Sequence, residues 1–202
     1  MQNPKFEFVP GDTITIAPGR TVKRIRALVA IAVAGVTVGD LGGYVETDAQ
    51  VSGNAWVSGN AWVSGNARVS GNAWVSGNAR VSGNAQVSGN AWVSGNAWVS
   101  GNARVYGNAW VFGNAWVSGN AQVSGNARVS QPKHILVVGP IGSRAATLTT
   151  HVDSKIGIRY STGCFTGSRD EFAAAVEKHH GDNEHGRAYE AAMFLADLTV
   201  LS

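Results

Sequence analysis

The residues whose types and spacing could do chemistry all lie after residue 130. Cys164 is the one cysteine of the chain. With His179, His180 or His185 as base and Asp182 to orient it, it has the residue types of a thiol nucleophile. Against that stands the plainer reading that a single cysteine following Gly163 at a strand end is a small packed residue. The histidines fall at 179, 180 and 185, a spacing that matches no zinc signature, so no metal and no cofactor are expected. Gly139-Pro140-Ile141-Gly142-Ser143-Arg144 is the stronger candidate. A glycine-rich turn after a strand exposes backbone N–H groups, and Ser143 and Arg144 beside Gly142 suit a phosphate or carboxylate. No Gly-Lys-Ser/Thr follows, so this is not a Walker loop. A tight turn between two strands would use the same residues.

The elements that must position these groups read as a small α+β domain over 131–202. Gln131-Pro132 ends the pattern that precedes it, because proline offers no ladder donor. His134 to Val138, Ala146 to Val152 and Ile156 to Ser161 are predicted strands, with Asp153-Ser154-Lys155 as a turn. Ser168 followed three residues later by Glu171 predicts a capping box for a helix over Asp170 to Lys178. Asp182 or Asn183 caps the next helix, which runs to about Leu198 and turns Tyr189, Ala192, Met193 and Ala196 to one side.

Everything before that domain hangs on Ala49 to Ser130, where a six-residue unit close to Val-Ser-Gly-Asn-Ala-X returns without an insertion. A period of six fits neither an amphipathic helix nor independent hairpins; it fits one short strand plus a corner. Three units close a triangular coil of 18 residues, so the expected fold is mainly β, a parallel β-helix. Ala and Val, two apart, point inward, and X between them points out. Gly and Asn at the corner tolerate positive φ at least cost, and stacked corners place Asn over Asn, ready to bond along the axis. The spacing resembles the hexapeptide-repeat family ([LIV]-[GA]-x-x-[STAV]-x), and the resemblance implies a left-handed coil.

Reading X at every eighteenth residue sorts it into three outward columns. One holds Gln50, Arg68, Gln86, Arg104 and Gln122. A second holds Trp56, Trp74, Trp92, Trp110 and Arg128, and a third Tyr44, Trp62, Arg80, Trp98 and Trp116. All 7 tryptophans lie in the last two. With coils about 4.8 Å apart, each such column makes a patch of several hundred Å², more than a monomer usually exposes. Two apolar faces and one polar face match a prism packed about a threefold axis. The expectation is a homotrimer in which the Trp56 column meets the next chain's Trp62 column, with Gln50 and Arg68 outside and Tyr106 and Phe112 widening the contact at corners. The alternative is that the C-terminal helices fold back over one tryptophan face.

At the start of the chain, Phe6, Phe8 and Val9 followed by Thr13 to Ile16 predict a hairpin or cap over 1–22, with the β-helix taking 23–130. Lys5, Glu7 and Pro10 leave no room for the apolar core of a signal peptide. Ala27 to Val38 is apolar but short of a membrane span and broken by Gly35 and Gly39, so it reads as strands of the first coil, and no membrane is expected. The net charge is +3. Residues 1–44 carry five basic and three acidic groups, 45–130 four and two, and 131–202 seven and eight, so positive charge is nowhere concentrated and nucleic acid is not an expected partner.

A more specific resemblance rests on Arg24-Ile25-Arg26-Ala27-Leu28, Gly39-Asp40-Leu41-Gly42-Gly43-Tyr44, the Asn-Ala-X-Val coils, Gly139 to Arg144, Gly163-Cys164-Phe165-Thr166-Gly167 and His180-Gly181-Asp182-Asn183. Together these resemble a set of uncharacterised phage and prophage proteins, and the match runs over most of the chain after about residue 20. It implies a phage-related origin and a bacterial cytoplasm, and it implies no activity. The hexapeptide acyltransferases use a coil-surface histidine as base. Here no histidine precedes His134, and the coils have no extruded loops, which counts against acyl transfer. The expected function is a non-enzymatic binding protein that holds a small anionic, nucleotide-derived molecule, a nucleotide sponge removing a host immune signal. Its expected ligand-binding residues are Gly142, Ser143, Arg144, Cys164, Phe165, His180, Asp182 and His185. A trimeric virion spike and a Cys/His enzyme or acyltransferase stay open as alternatives.

Overall fold

A computed structural model describes residues 4–200. Two long strands, β1 (Phe6–Ala17) and β2 (Arg20–Ala27), form an antiparallel hairpin, and β2 pairs antiparallel with β3 (Leu41–Val45). From Tyr44 onward the pairing is parallel. Thirteen two-residue strands, β4 (Trp56–Val57) to β16 (Arg128–Val129), recur at six-residue steps and stack into three sheets. One holds β4, β7, β10, β13 and β16; another β6, β9, β12 and β15; the third joins β5, β8, β11 and β14 to the N-terminal hairpin through β3. The chain is a β-solenoid of 18-residue coils followed by an antiparallel sheet and two helices.

The repeat explains each contact. The N–H groups of one coil donate to carbonyls of the next, as Trp74 N does to Ala91 O at 2.9 Å and Asn78 N to Gly95 O at 2.8 Å. Interior Ala and Val, from Ala55 and Val57 to Ala127 and Val129, form one dry column. The predicted asparagine ladders run along the corners: Asn54 Nδ2 donates to Asn72 Oδ1 at 3.1 Å, and Asn84 to Asn102 at 3.0 Å. At the corner Gly77 has φ +68°, and a Cβ there would lie 3.0 Å from Gly95 N. Close stacking of corners therefore requires glycine twice over, for its dihedral and for its missing side chain.

The cap reaches further along the chain than residue 22, since β2 belongs to the antiparallel hairpin. Of residues 27–38, expected as coil strands, Ala27 ends β2 and the rest form a loop with one short turn over Ala32–Ala34 and a bridge between Ile31 and Val36. Gly35 and Gly39, with φ +63° and +92°, reverse the chain there, and Ile31 and Val36 turn into the core beside Phe6 and Ile25. The basic group at 23–26 is tied into the cap: Lys23 lies over the Phe8 ring and Arg26 pairs with Glu7. Arg24 donates to Asp12, Gly42 O and the Tyr44 hydroxyl at 2.7 to 2.8 Å and lies over the Tyr44 ring.

This cap corrects the expected oligomer face. Trp56 is 2 % exposed and belongs to the core cluster; a Cβ on Gly42 would stand 2.8 Å from its ring, so its own chain covers it. Gln50, expected outside, is buried: its amide accepts from Glu46 N and Thr47 N and donates to Gly65 O. Trp62, Trp74 and Trp92 are half-buried. Trp74 and Trp92 stack on each other and donate to Ser58 and Ser76 of the preceding coil. Only Trp98, Trp110 and Trp116, near the C-terminal end, stay open at 41, 40 and 54 %. The helices do not cover them, because both pack on their own domain's sheet. Among the described residues no helix is long and apolar enough to cross a membrane.

The C-terminal domain is joined to the last coil by side chains that replace a missing strand. Its sheet runs β17 (Ile135–Ile141), β18 (Ala146–Asp153), β19 (Gly157–Thr162) and β20 (Phe165–Gly167), all antiparallel. Alternate residues of β18 point at the solenoid. Thr149 Oγ1 accepts from Gln122 N at 3.0 Å, His151 Nε2 from Ser124 N at 3.3 Å, and Asp153 Oδ2 from Asn126 N at 3.0 Å. These N–H groups would otherwise face the next coil, so three side chains close that edge. His151 is fully buried. Burial pushes its pKa down to about 4, and the neutral ring is the form that can accept at Nε2 while the other nitrogen faces Val152 O.

Candidate functional site

The other side of the same sheet builds a cleft. The antiparallel order puts the β17–β18 turn, residues 142–145, and the β19–β20 turn, residues 163–164, at one end of the sheet. Helix α1 (Arg169–His180) starts at the opposite end, so its last residues return beside both turns. Its start is fixed as predicted: Ser168 Oγ accepts from Glu171 N while Glu171 reaches back to Ser168 N. Asn183 caps α2 (Glu184–Thr199) by accepting from His185 N and Gly186 N. Arg169 bridges to Asp197 at 2.7 Å and ties the start of α1 to the end of α2.

Between turns and helices lies an open cleft of about 590 Å³. Five of the expected ligand residues line it: Ser143, Arg144, Cys164, Phe165 and His180. Three do not. Gly142 packs under the Tyr189 side chain, where a Cβ would collide with the ring. Asp182 is exposed and pairs with Arg187. His185 lies against the His180 ring, 5.8 Å between centroids, and not on the lining. The sequence reading missed Thr162, Phe172, Val176 and Tyr189 as lining groups, and had His179 only as a possible base. Phe172 and Tyr189 carried a signal, since both sit at positions that a helix must bury.

The lining divides in two. The floor is aromatic: Phe172 lies 5.2 Å from Phe165, 5.4 Å from Tyr189 and stacks on Tyr160 at 5.0 Å. The rim is polar, with Arg144 and Ser143 from one turn, Cys164 from the other, and His179 and His180 from the end of α1. Helix carbonyls at a C-terminus disfavour an anion. Here the Gly181 N–H donates to Glu177 O, and Lys178, His179 and His180 fill the last turn. Among the described residues no carboxylate pairs with Arg144, which stands exposed at the mouth. Burial, with the charge of Asp197 adding to it, pushes the Tyr160 hydroxyl up to about 12, so it stays protonated under the floor. Among the described residues no three His, Cys, Asp or Glu side chains converge as metal ligands.

The YdcK beta solenoid repeat matches the chain at residues 49–65, 61–77, 75–87, 85–101, 103–119 and 121–131. The coils are thus similar to the YdcK β-solenoid repeat, and the match stops where the cleft-bearing domain begins. No curated protein matches the chain.

Proposed function

We propose that this is a binding protein of phage origin whose C-terminal cleft captures a small anionic, nucleotide-derived molecule in the bacterial cytoplasm without converting it. The observation that supports the reading is the convergence of Ser143, Arg144, Cys164, Phe165 and His180, drawn from two turns and a helix end, on one cleft of about 590 Å³. That size suits a ligand of nucleotide dimensions. Arg144 supplies charge and two N–H edges for a phosphate, and Phe165 a ring face for stacking. Binding without turnover by a phage protein would remove a host signal. Calorimetry with cyclic di- and trinucleotides and ADP-ribose derivatives tests this. At least one should bind below micromolar and be recovered intact, and Arg144→Ala should lose about 1.5–3 kcal/mol of that affinity.

One observation favours an enzyme instead: exposed Cys164 shares the cleft with His179 and His180. Turnover of a bound ligand that vanishes in Cys164→Ser would establish that reading and end the capture proposal. Self-association draws its support from Trp98, Trp110 and Trp116. A trimer contact would run along the last coils alone, because the cap covers Trp56. Light scattering that returns a monomer at micromolar concentration would reject it.

A further inference from the structure

Tyr189 differs from the other unpaired hydroxyls of the C-terminal domain. The oxygens of Thr150, Tyr160 and Thr162 are closed off from solvent. Among the described residues the Tyr189 hydroxyl has no hydrogen-bond partner either, but it keeps exposed surface. The little that Tyr189 shows, 7 %, belongs to a residue of the cleft lining. Its ring is held on three sides. It stands at right angles to Phe172 at 5.4 Å, lies against His180 at 5.6 Å, and rests on Gly142, where a Cβ would come 2.7 Å from the ring carbons. The hydroxyl is nearer still to that position, so the tip of Tyr189 stands over the bare Cα of Gly142. Gly142, with φ +72°, opens the turn that carries Ser143 and Arg144 and closes with Ala145 N donating to Gly142 O.

We propose that Tyr189 Oη donates to the ligand's phosphate, which sits in the corner between the Tyr189 tip and the turn and meets Ser143 and Arg144 from the turn's side. This rests on the binding reading above and deepens it by naming where the charge is seated. A hydroxyl and a guanidinium both donate, and hydrogen bonds to a charged oxygen are the strong kind. Because packing fixes the Tyr189 ring before any ligand arrives, little ordering is left to oppose binding. Gly142 then acts as a positioning residue: any side chain there would fill the space that the hydroxyl occupies. Tyr189 therefore discriminates between a nucleotide and its uncharged nucleoside and does not choose among bases.

Isothermal titration of the full chain with AMP and UMP, and with adenosine and uridine, which lack the phosphate, tests it. At least one nucleotide should bind at least tenfold more tightly than its nucleoside. Tyr189→Phe, which removes the hydroxyl and keeps the ring, should weaken that nucleotide about tenfold and leave the nucleoside unchanged. Tyr160→Phe, which removes a closed-off hydroxyl of the same domain, should leave both unchanged. Arg144→Ala should weaken every phosphate-bearing probe. Melting curves of the variants establish that they are folded. Unchanged nucleotide affinity in a folded Tyr189→Phe, or an equal loss in Tyr160→Phe, while Arg144→Ala still weakens binding, overturns the Tyr189 contact alone. No binding by any probe, or no effect of Arg144→Ala, overturns the anion reading with it.

Discussion

The coils and the C-terminal domain handle their polar groups in opposite ways. Along the coils a residue's partner is its own equivalent one coil on: Asn bonds Asn, backbone bonds backbone, and Trp74 stacks on Trp92. In the C-terminal domain the partners are unlike and distant in sequence, and Thr150, Tyr160 and Thr162 are left with buried hydroxyls unpaired, against Ser64 in the coils. A surface made of self-satisfied repeats has little left to offer a small ligand. Recognition becomes available where the repeat stops and different side chains converge.

The sharpest way to break this contrast is to substitute one interior position in each region. Val93 is fully buried in the dry column, so Val93→Asp places a carboxylate where nothing can pair with it. A loss above about 4 kcal/mol is expected, read as loss of the cooperative thermal transition. Cys164→Ser, at an exposed cleft position, should leave the melting temperature where it was. If the coil substitution is the milder of the two, the picture of a close-packed column beside a tolerant cleft is wrong.

The seam between the regions gives the next largest effect. His151 accepts from Ser124 N only when neutral, and its pKa of about 4 in the folded chain lies below the ordinary value of 6.5. The unfolded chain therefore takes up the proton first. Stability from the neutral ring is whole above pH 6.5 and is lost as pH falls toward 4, a change of about 3 kcal/mol. Urea unfolding at pH 7.5, 5.5 and 4.5 should show this loss in the wild type and a smaller one in His151→Gln, which can accept but not titrate. Parallel pH curves for the two proteins would show that His151 does not hold the seam.

Glycines separate the regions by a smaller amount. Gly77→Ala combines φ +68° with a Cβ 3.0 Å from Gly95 N, and should cost about 2 kcal/mol or more. Gly163→Ala has φ +54° but open space around it, and should cost about 1 kcal/mol. Equal losses by denaturant unfolding would mean that corner stacking is looser than the distances indicate.

The solenoid was legible in the sequence because each position of the repeat recurs many times, so one misjudged residue changes nothing. Trp56 was misjudged for the complementary reason. What buries it is a cap contact at Gly42, where no period exists to reveal it. The capping box at Ser168 and the Asn183 cap were legible because they are local. Thr149, His151 and Asp153 alternate visibly, yet alternation cannot say that a strand's side chains will dock on the end of a coil. Thr162 gave no signal at all; only the register across from Phe165 brings the residue to the cleft lining.

The most direct test of the central claim is hydrogen exchange of the full chain with and without saturating nucleotide, since it reports on coils and cleft in one experiment. Added protection should be confined to residues 142–146, 162–165 and 172–180, the segments that supply most of the cleft lining, with 50–120 unchanged. Protection appearing along the coils, or none near Arg144 and Thr162 while nucleotide is bound, would contradict it.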